Sequence, residues 1–154
     1  MRHLLLAVPF ALVATTAFAA WESGMVDDEG GPVMMAWVYG ANTGANPPEL
    51  RMFCGDEVSL RFGQGGTGEE GIDPITDPLS FSFDFGDDVL TLDMQYEEMD
   101  GMYAAYVEPD AQVLALLRSE DNVAVDAPLG PWPVEEFTLT GSSKAISAVL
   151  KSCD

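Results

Sequence analysis

Hydrophobic and polar residues alternate along much of the chain, and this alternation predicts strands. The clearest run spans 79–85, where apolar residues lie on one face and polar residues on the other: Leu79, Phe81, Phe83 and Phe85 against Ser80, Ser82 and Asp84. A period of two is typical of a half-buried strand. Turns at Gly86-Asp87 and Asp100-Gly101 lead into two further runs, 90–96 and 102–107. Residues 79–107 therefore predict a three-strand meander.

Further strands are predicted on both sides of this meander. A first strand carries Val33, Met35, Trp37 and Tyr39 on one face, and the runs 50–54 and 58–62 form a hairpin about Gly55-Asp56. Two short strands follow the meander near 123–125 and 137–139. Residues 42–48 predict a turn-rich loop, and residues 63–78, with five glycines and two prolines, predict a mobile loop.

Two segments have helical spacing instead. A short helix is predicted near 110–118, with Pro109 and Asp110 at its start and a buried stripe formed by Val113, Leu114, Leu116 and Leu117. A C-terminal helix is predicted near 142–152, capped by Ser142 or Ser143, with Ile146, Val149, Leu150 and Cys153 on one face. This order of elements predicts an α+β fold, mainly an antiparallel β-sheet or sandwich with these two helices.

The first 19 residues have the three-part pattern of a signal peptide. A basic start at Met1-Arg2-His3 precedes an apolar run from Leu4 to Val13, and Ala17-Phe18-Ala19 suits signal peptidase cleavage after Ala19. The run is shorter than the ~20 residues that span a bilayer, and no later stretch is long and apolar enough to do so. We predict a single exported domain over residues 20–154, located in the periplasm or outside the cell.

The charge of the chain limits the kinds of partner that electrostatic attraction could bring to it. It has 26 acidic and 6 basic residues, a net charge of −20. Loss of Arg2 with the signal peptide makes the mature net charge −21. This negative charge excludes binding to nucleic acid or anionic lipid by electrostatic attraction. The acidity favours solubility, a salty habitat or a basic protein partner, and the oligomeric state stays open.

The sequence also lacks common catalytic equipment. Its single histidine, His3, lies in the predicted signal peptide, which excludes histidine-based nucleophile systems and histidine metal sites from the mature domain. A carboxylate pair for glycoside hydrolysis would have to come from Asp84, Asp87, Asp88 and Asp93. Aspartates at a turn and on the polar face of a strand are ordinary. We therefore predict no enzyme, no catalytic residues and no cofactor.

Two sets of residues have side-chain atoms that metal ions prefer as ligands. Asp27-Asp28-Glu29 and the acidic loop 69–77 offer oxygen ligands for calcium, but no segment fits the EF-hand spacing. The methionines at Met35, Met52 and Met94 could bind Cu(I), although their strand positions favour packing in the core. No metal site is assigned. The predicted role is a non-enzymatic accessory or binding protein, and a calcium-binding or lysozyme-inhibitor-like acidic domain is the alternative.

Two cysteines remain, 99 positions apart in the chain. Cys54 lies on the apolar face of its strand and Cys153 on the apolar face of its helix, and an exported protein meets oxidising conditions. A Cys54–Cys153 disulfide is predicted, which would contribute about 4 kcal/mol by the chain-entropy argument. The alternative is two buried free thiols. The pair lacks Cys-x-x-Cys spacing, so a redox-catalytic role is not expected.

The last third of the chain resembles a known family. Phe137-Thr138-Leu139-Thr140-Gly141, followed by Ala145-Ile146 and Cys153, is similar to the ending of VasI-like periplasmic proteins associated with type VI secretion, which likewise have an extended segment ending in cysteine, here Leu50 to Cys54. Phe53 stands where that family would have arginine. The invasion-associated locus B proteins are a looser comparison. The resemblance implies a small exported accessory protein and no chemistry. The predicted role is that of a protein–protein interaction module of the cell envelope or of a secretion system.

Overall fold

The structure is a computed structural model that describes residues 20–28, 30–41, 47–64, 77–128 and 134–153. The predicted signal peptide lies outside the described residues, as do Glu29 and most of the predicted loops at 42–48 and 63–78. The described part contains nine strands and two helices: β1 (Glu22–Asp28), β2 (Gly31–Tyr39), β3 (Pro48–Cys54), β4 (Val58–Gln64), β5 (Leu79–Asp84), β6 (Val89–Glu97), β7 (Met102–Val107), α1 (Gln112–Ser119), β8 (Asn122–Asp126), β9 (Glu135–Thr138) and α2 (Ser142–Leu150).

All strand pairings in the described sheet are antiparallel, in the order β1-β2-β3-β4-β7-β6-β5-β8-β9. The long strand β6 belongs to two halves of the sheet, because its first part, Val89–Met94, pairs with β5 and its last three residues pair with β7. The halves fold back on each other. The Ala41 amide donates to the Glu136 carbonyl oxygen at 3.1 Å, and the Trp21 amide donates to the Thr140 carbonyl oxygen at 2.9 Å. These facts confirm the predicted sheet-rich α+β fold and the 79–107 meander.

The core fills the space between the two halves and is closed by both helices. Phe62 of β4 contacts Phe81 of β5 and Phe137 of β9, with ring centroids 5.6 and 6.1 Å away. The predicted helix stripes face this core, since Val113, Leu114 and Leu117 of α1 and Ile146 and Val149 of α2 are buried. Aromatic and aliphatic side chains of both halves therefore meet in one cluster, and its burial is the main stabilising term. No helix among the described residues is long and apolar enough to cross a membrane.

The sequence did not predict strand β1, and the predicted face of β2 was wrong, because Ala36 and Val38 turn to the core instead of Met35 and Trp37. Helix α1, predicted near 110–118, spans Gln112–Ser119, because residues 108–111 form a turn closed by the Ala111 amide on the Glu108 carbonyl oxygen.

The predicted serine cap of α2 was also wrong. Its N-cap is Gly141, in a left-handed conformation with φ 84°, and no side chain caps the helix. A Cβ at Gly141 would lie 3.2 Å from the Trp21 carbonyl oxygen, so glycine relieves both the backbone strain and this contact. The start of α2 is thereby held against the start of β1.

Candidate interaction surface

The side of β2, β3, β4 and β7 that faces away from the core, here called the outer face, carries two arginines directly opposite each other. Arg51 of β3 is paired in register with Arg61 of β4. Like charges directly opposite each other on neighbouring strands are destabilising. The outer face must therefore supply a carboxylate to each arginine, and it does so in two different ways.

Arg51 forms a two-pronged ion pair with Glu49 of the same strand. Its Nε and Nη2 donate to the two carboxylate oxygens at 2.6 and 2.8 Å. The spacing of two residues places both side chains on one face of β3. The hydrogen bonds from Arg51 to Glu49 raise the pKa of Arg51, burial opposes that rise, and the charges of Glu49 and Tyr39 add to it. The Glu49 side chain is only 3% exposed and that of Arg51 is 28% exposed, so the arginine is the partner that reaches solvent.

Arg61 is held more deeply, at 7% side-chain exposure, by partners from three elements. Its Nη2 lies 2.6 Å from Oε2 of Glu97 in β6, and its Nη1 donates to Asp100 in the turn after β6. Its guanidinium lies 4.3 Å from the centroid of the Phe53 ring, a cation–π arrangement. The residue opposite Arg61 on β7 is Ala104, whose short side chain leaves room for the arginine to reach β6. The phenylalanine that departs from the VasI-like pattern thus supports this arginine.

Glu97 serves a second donor, the hydroxyl of Tyr106 on β7. The hydrogen bond to Glu97 raises the pKa of Tyr106, and burial and the Glu97 charge act in the same direction. Tyr106 is nevertheless 56% exposed. The tyrosine therefore presents an aromatic surface to solvent, while its hydroxyl is held by Glu97, the carboxylate that also binds Arg61.

The outer face therefore combines a fixed polar layer with accessible aromatic groups. Tyr39 and Tyr106 are exposed, and Trp37, Arg51 and Phe53 are half-buried. The hairpin of residues 50–62 was predicted from the sequence, but the ion pairs of Arg51 and Arg61 on it were not. The Glu49-Leu50-Arg51 spacing could have predicted the ion pair of Arg51, because residues two apart share one face of a strand. The partners of Arg61 are far away in the chain, so the local sequence does not predict them.

Two of the four aspartates considered for glycoside hydrolysis have separate local contacts. Asp84 accepts a hydrogen bond from the Gly86 amide at 2.7 Å, and Asp93 accepts one from the Ser80 hydroxyl at 2.6 Å. Asp84 alone of the four lines a groove of about 630 Å³ at the ends of β5, β8 and β9, together with Glu120, Asp121 and Glu136. These are turn and strand roles rather than a pair of facing catalytic carboxylates.

The residues considered for metal binding are also apart. Asp27 and Asp28 are consecutive in β1, so their side chains point to opposite faces. Met52 and Met94 are buried in the core as predicted, but Met35 lies on the outer face. Within the described ranges, no three acidic, cysteine or histidine side chains are grouped so as to hold a metal ion.

Cys54 ends β3, and Cys153 follows α2. Their Cα atoms are 5.5 Å apart, and their sulfur atoms lie at disulfide-bonding distance. Both half-cystines are half-buried and line a surface groove of about 420 Å³. The predicted pairing is therefore compatible with the backbone, and its formation in the exported protein stays a prediction.

Comparison with known proteins shows similarity in fold only. No protein-family model and no curated protein matches the sequence. The fold is similar to the crystal structure of invasion associated protein B from Bartonella henselae, with a TM-score of 0.56 over 90% of this chain and 96% of that one, at 16% sequence identity. This similarity supports the looser of the two family comparisons at the level of fold. It does not support the VasI-like proteins specifically.

Proposed function

We propose that this protein is an exported, non-enzymatic accessory protein of the cell envelope that binds a basic protein partner. The fold relationship to invasion associated protein B supports the general class. The sequence ending supports a finer proposal, in which the partner belongs to a secretion system of the kind that VasI-like proteins accompany. Export rests on the signal-peptide pattern of residues 1–19.

The observation that carries the proposal is the composition of the outer face. Neither helix contributes to it, since the buried residues of α1 and α2 belong to the core cluster on the other side of the sheet. Its accessible groups are tryptophan, tyrosine and arginine, which dominate the centres of protein interfaces. The ion pairs beneath them fix Arg51 and Tyr106 in place, which lowers the entropy cost of binding.

The rest of the surface suggests the charge of the partner. Among the described carboxylates, all are exposed except Glu49, Glu97 and Glu135. An aromatic centre within a strongly acidic surface complements a partner with an apolar centre and a basic rim. The net charge of −21 of the mature protein would then speed the encounter at low ionic strength, and the outer face would determine how long the complex lasts.

Site-specific photocrosslinking in the native envelope tests this proposal. A photoreactive residue in place of Tyr39 or Tyr106 should capture one discrete basic protein, whereas the same residue in place of Val89 or Val134, which are exposed outside the outer face, should not. Capture should weaken as salt is raised during crosslinking. Equal capture from all four positions, an acidic captured protein, or capture unaffected by molar salt would contradict the proposal.

A further inference from the structure

The groove beside the two cysteines has a distinctive charge. Three exposed carboxylates line it, Asp56 and Glu57 from the turn between β3 and β4, and Glu108 after β7. The other residues of the groove are Val58, Tyr106, Val107, Pro109 and the cysteines themselves. Among the described residues, no basic side chain lines this groove. Lys151 lies two residues before Cys153 in the chain, is exposed at the end of α2, and is not among the residues that line the groove.

This charge bears directly on disulfide chemistry. A disulfide is opened by a thiolate, which is an anion, and the rate depends on access to the sulfur atoms. An anionic thiolate that enters this groove approaches three carboxylates while it is still solvated, and the repulsion falls off over about 10 Å in 0.1 M salt. A reagent with a second, positive group has no net charge as a thiolate, so it is not repelled, and its cationic end is attracted to the same carboxylates.

We propose that the groove is a thiol–disulfide exchange site that selects its reaction partner by charge, reacting faster with thiols that carry a positive group than with anionic ones. The thiolate of the reagent attacks one sulfur of the Cys54–Cys153 bond, a mixed disulfide forms, and the other cysteine leaves as a thiolate that takes up a proton. A second reagent thiolate then attacks the mixed disulfide. The protein gains two electrons, and the two reagent thiols are oxidised to their own disulfide.

The fold keeps the freed cysteine next to the mixed disulfide. Helix α2 remains attached to the sheet after exchange, because Ala145, Ile146 and Val149 are buried in the core and the Trp21 amide binds the Thr140 carbonyl oxygen. The released thiolate can therefore attack the mixed disulfide and restore the original bond. Only a reagent that is concentrated in the groove completes the second step before this reversal, which increases the selection by charge.

The test compares reduction by three small thiols of different charge: cysteamine, which is cationic, 2-mercaptoethanol, which is neutral, and 2-mercaptoethanesulfonate, which is anionic. Second-order rate constants are corrected for the thiolate fraction and for nucleophilicity. In low salt we expect cysteamine to react about tenfold faster than 2-mercaptoethanesulfonate, with 2-mercaptoethanol between them, and the difference to shrink in 0.5 M salt.

Variants separate the groove from the overall charge. Replacing the three groove carboxylates, Asp56→Asn with Glu57→Gln and Glu108→Gln, should bring the three rates together. A matched control removes three exposed carboxylates outside the groove, those of Glu22, Glu98 and Glu136. It should leave most of the difference between the three reduction rates. Equal rates for the three thiols on the unaltered protein would overturn the proposal, as would a control as effective as the groove variant. Two free thiols in the unreduced protein would also overturn it.

Discussion

Removing the charge of Arg51 is the most informative test of the outer face, because the two members of its ion pair differ in exposure. Arg51→Met keeps most of the aliphatic stem but leaves the Glu49 carboxylate without its partner. That carboxylate is 3% exposed, so water cannot replace the lost guanidinium. The reverse variant, Glu49→Gln, leaves a guanidinium that is 28% exposed and can be hydrated.

This asymmetry sets the expected magnitudes. Removing one partner of a buried ion pair costs about 3–5 kcal/mol, since it leaves an uncompensated buried charge. We expect Arg51→Met to lower the free energy of unfolding by about 3 kcal/mol at neutral pH, because the pair is only partly buried. Glu49→Gln should cost about 1 kcal/mol, comparable to one ordinary hydrogen bond. The double variant should be more stable than Arg51→Met, since it no longer contains the unpaired charge.

Urea denaturation at neutral pH checks these expectations. A double variant less stable than Arg51→Met would refute the reasoning, and so would a Glu49→Gln variant that loses more stability than Arg51→Met.

Three further outcomes are expected. Because Glu97 raises the pKa of Tyr106, the hydrogen bond is present below the ordinary tyrosine value of about 10 and is lost only as pH rises through the higher folded value. Alkaline absorbance titration, with Tyr106→Phe to identify the signal, should show this midpoint move back toward about 10 in Glu97→Gln. Cys54→Ser and Cys153→Ser should each lower the free energy of unfolding by about 2–5 kcal/mol, since either one opens the same loop. Reductant that leaves the wild-type melting curve unchanged would contradict this. Intact-mass analysis of the exported protein should find Ala20 at its N-terminus, and retention of Met1 would contradict the signal-peptide prediction.

The strands that could be predicted from the sequence are those whose alternation is unambiguous. In β5, the aromatic residues Phe81 and Phe83 alternate with serine and aspartate, so one face has a much larger gain from burial than the other. The same holds for Leu50 and Met52 of β3, which are buried and alternate with Glu49, Arg51 and the half-buried Phe53. Local side-chain chemistry is enough to decide such elements, because no distant contact competes with it.

Strand β2 could not be oriented in this way, because it is apolar at almost every position. Either face of Val33-Met34-Met35-Ala36-Trp37-Val38 offers a hydrophobic surface. The structure turns Ala36 and Val38 inward, where α2 packs against β2. Small side chains let the helix approach closely, whereas Trp37 on that side would hold it away. The deciding factor is the fit to a helix more than 100 residues later in the chain, which periodicity does not contain.

The two arginines of the outer face, Arg51 and Arg61, show how distant contacts also bear on the pairing of strands. Side chains alternate with a period of two, so a slip of one residue between β3 and its neighbours would turn Arg51 or Arg61 into the core and turn Leu50 or Leu60 out of it. The native register keeps both arginines on the outer face, directly opposite each other. Glu49 of the same strand binds Arg51, and Glu97 and Asp100 bind Arg61, so the cost of placing like charges opposite one another is offset there. The outer face therefore contributes to specifying the fold as well as to the proposed binding. Variants of Arg61 should disturb strand pairing more than they weaken binding to a partner.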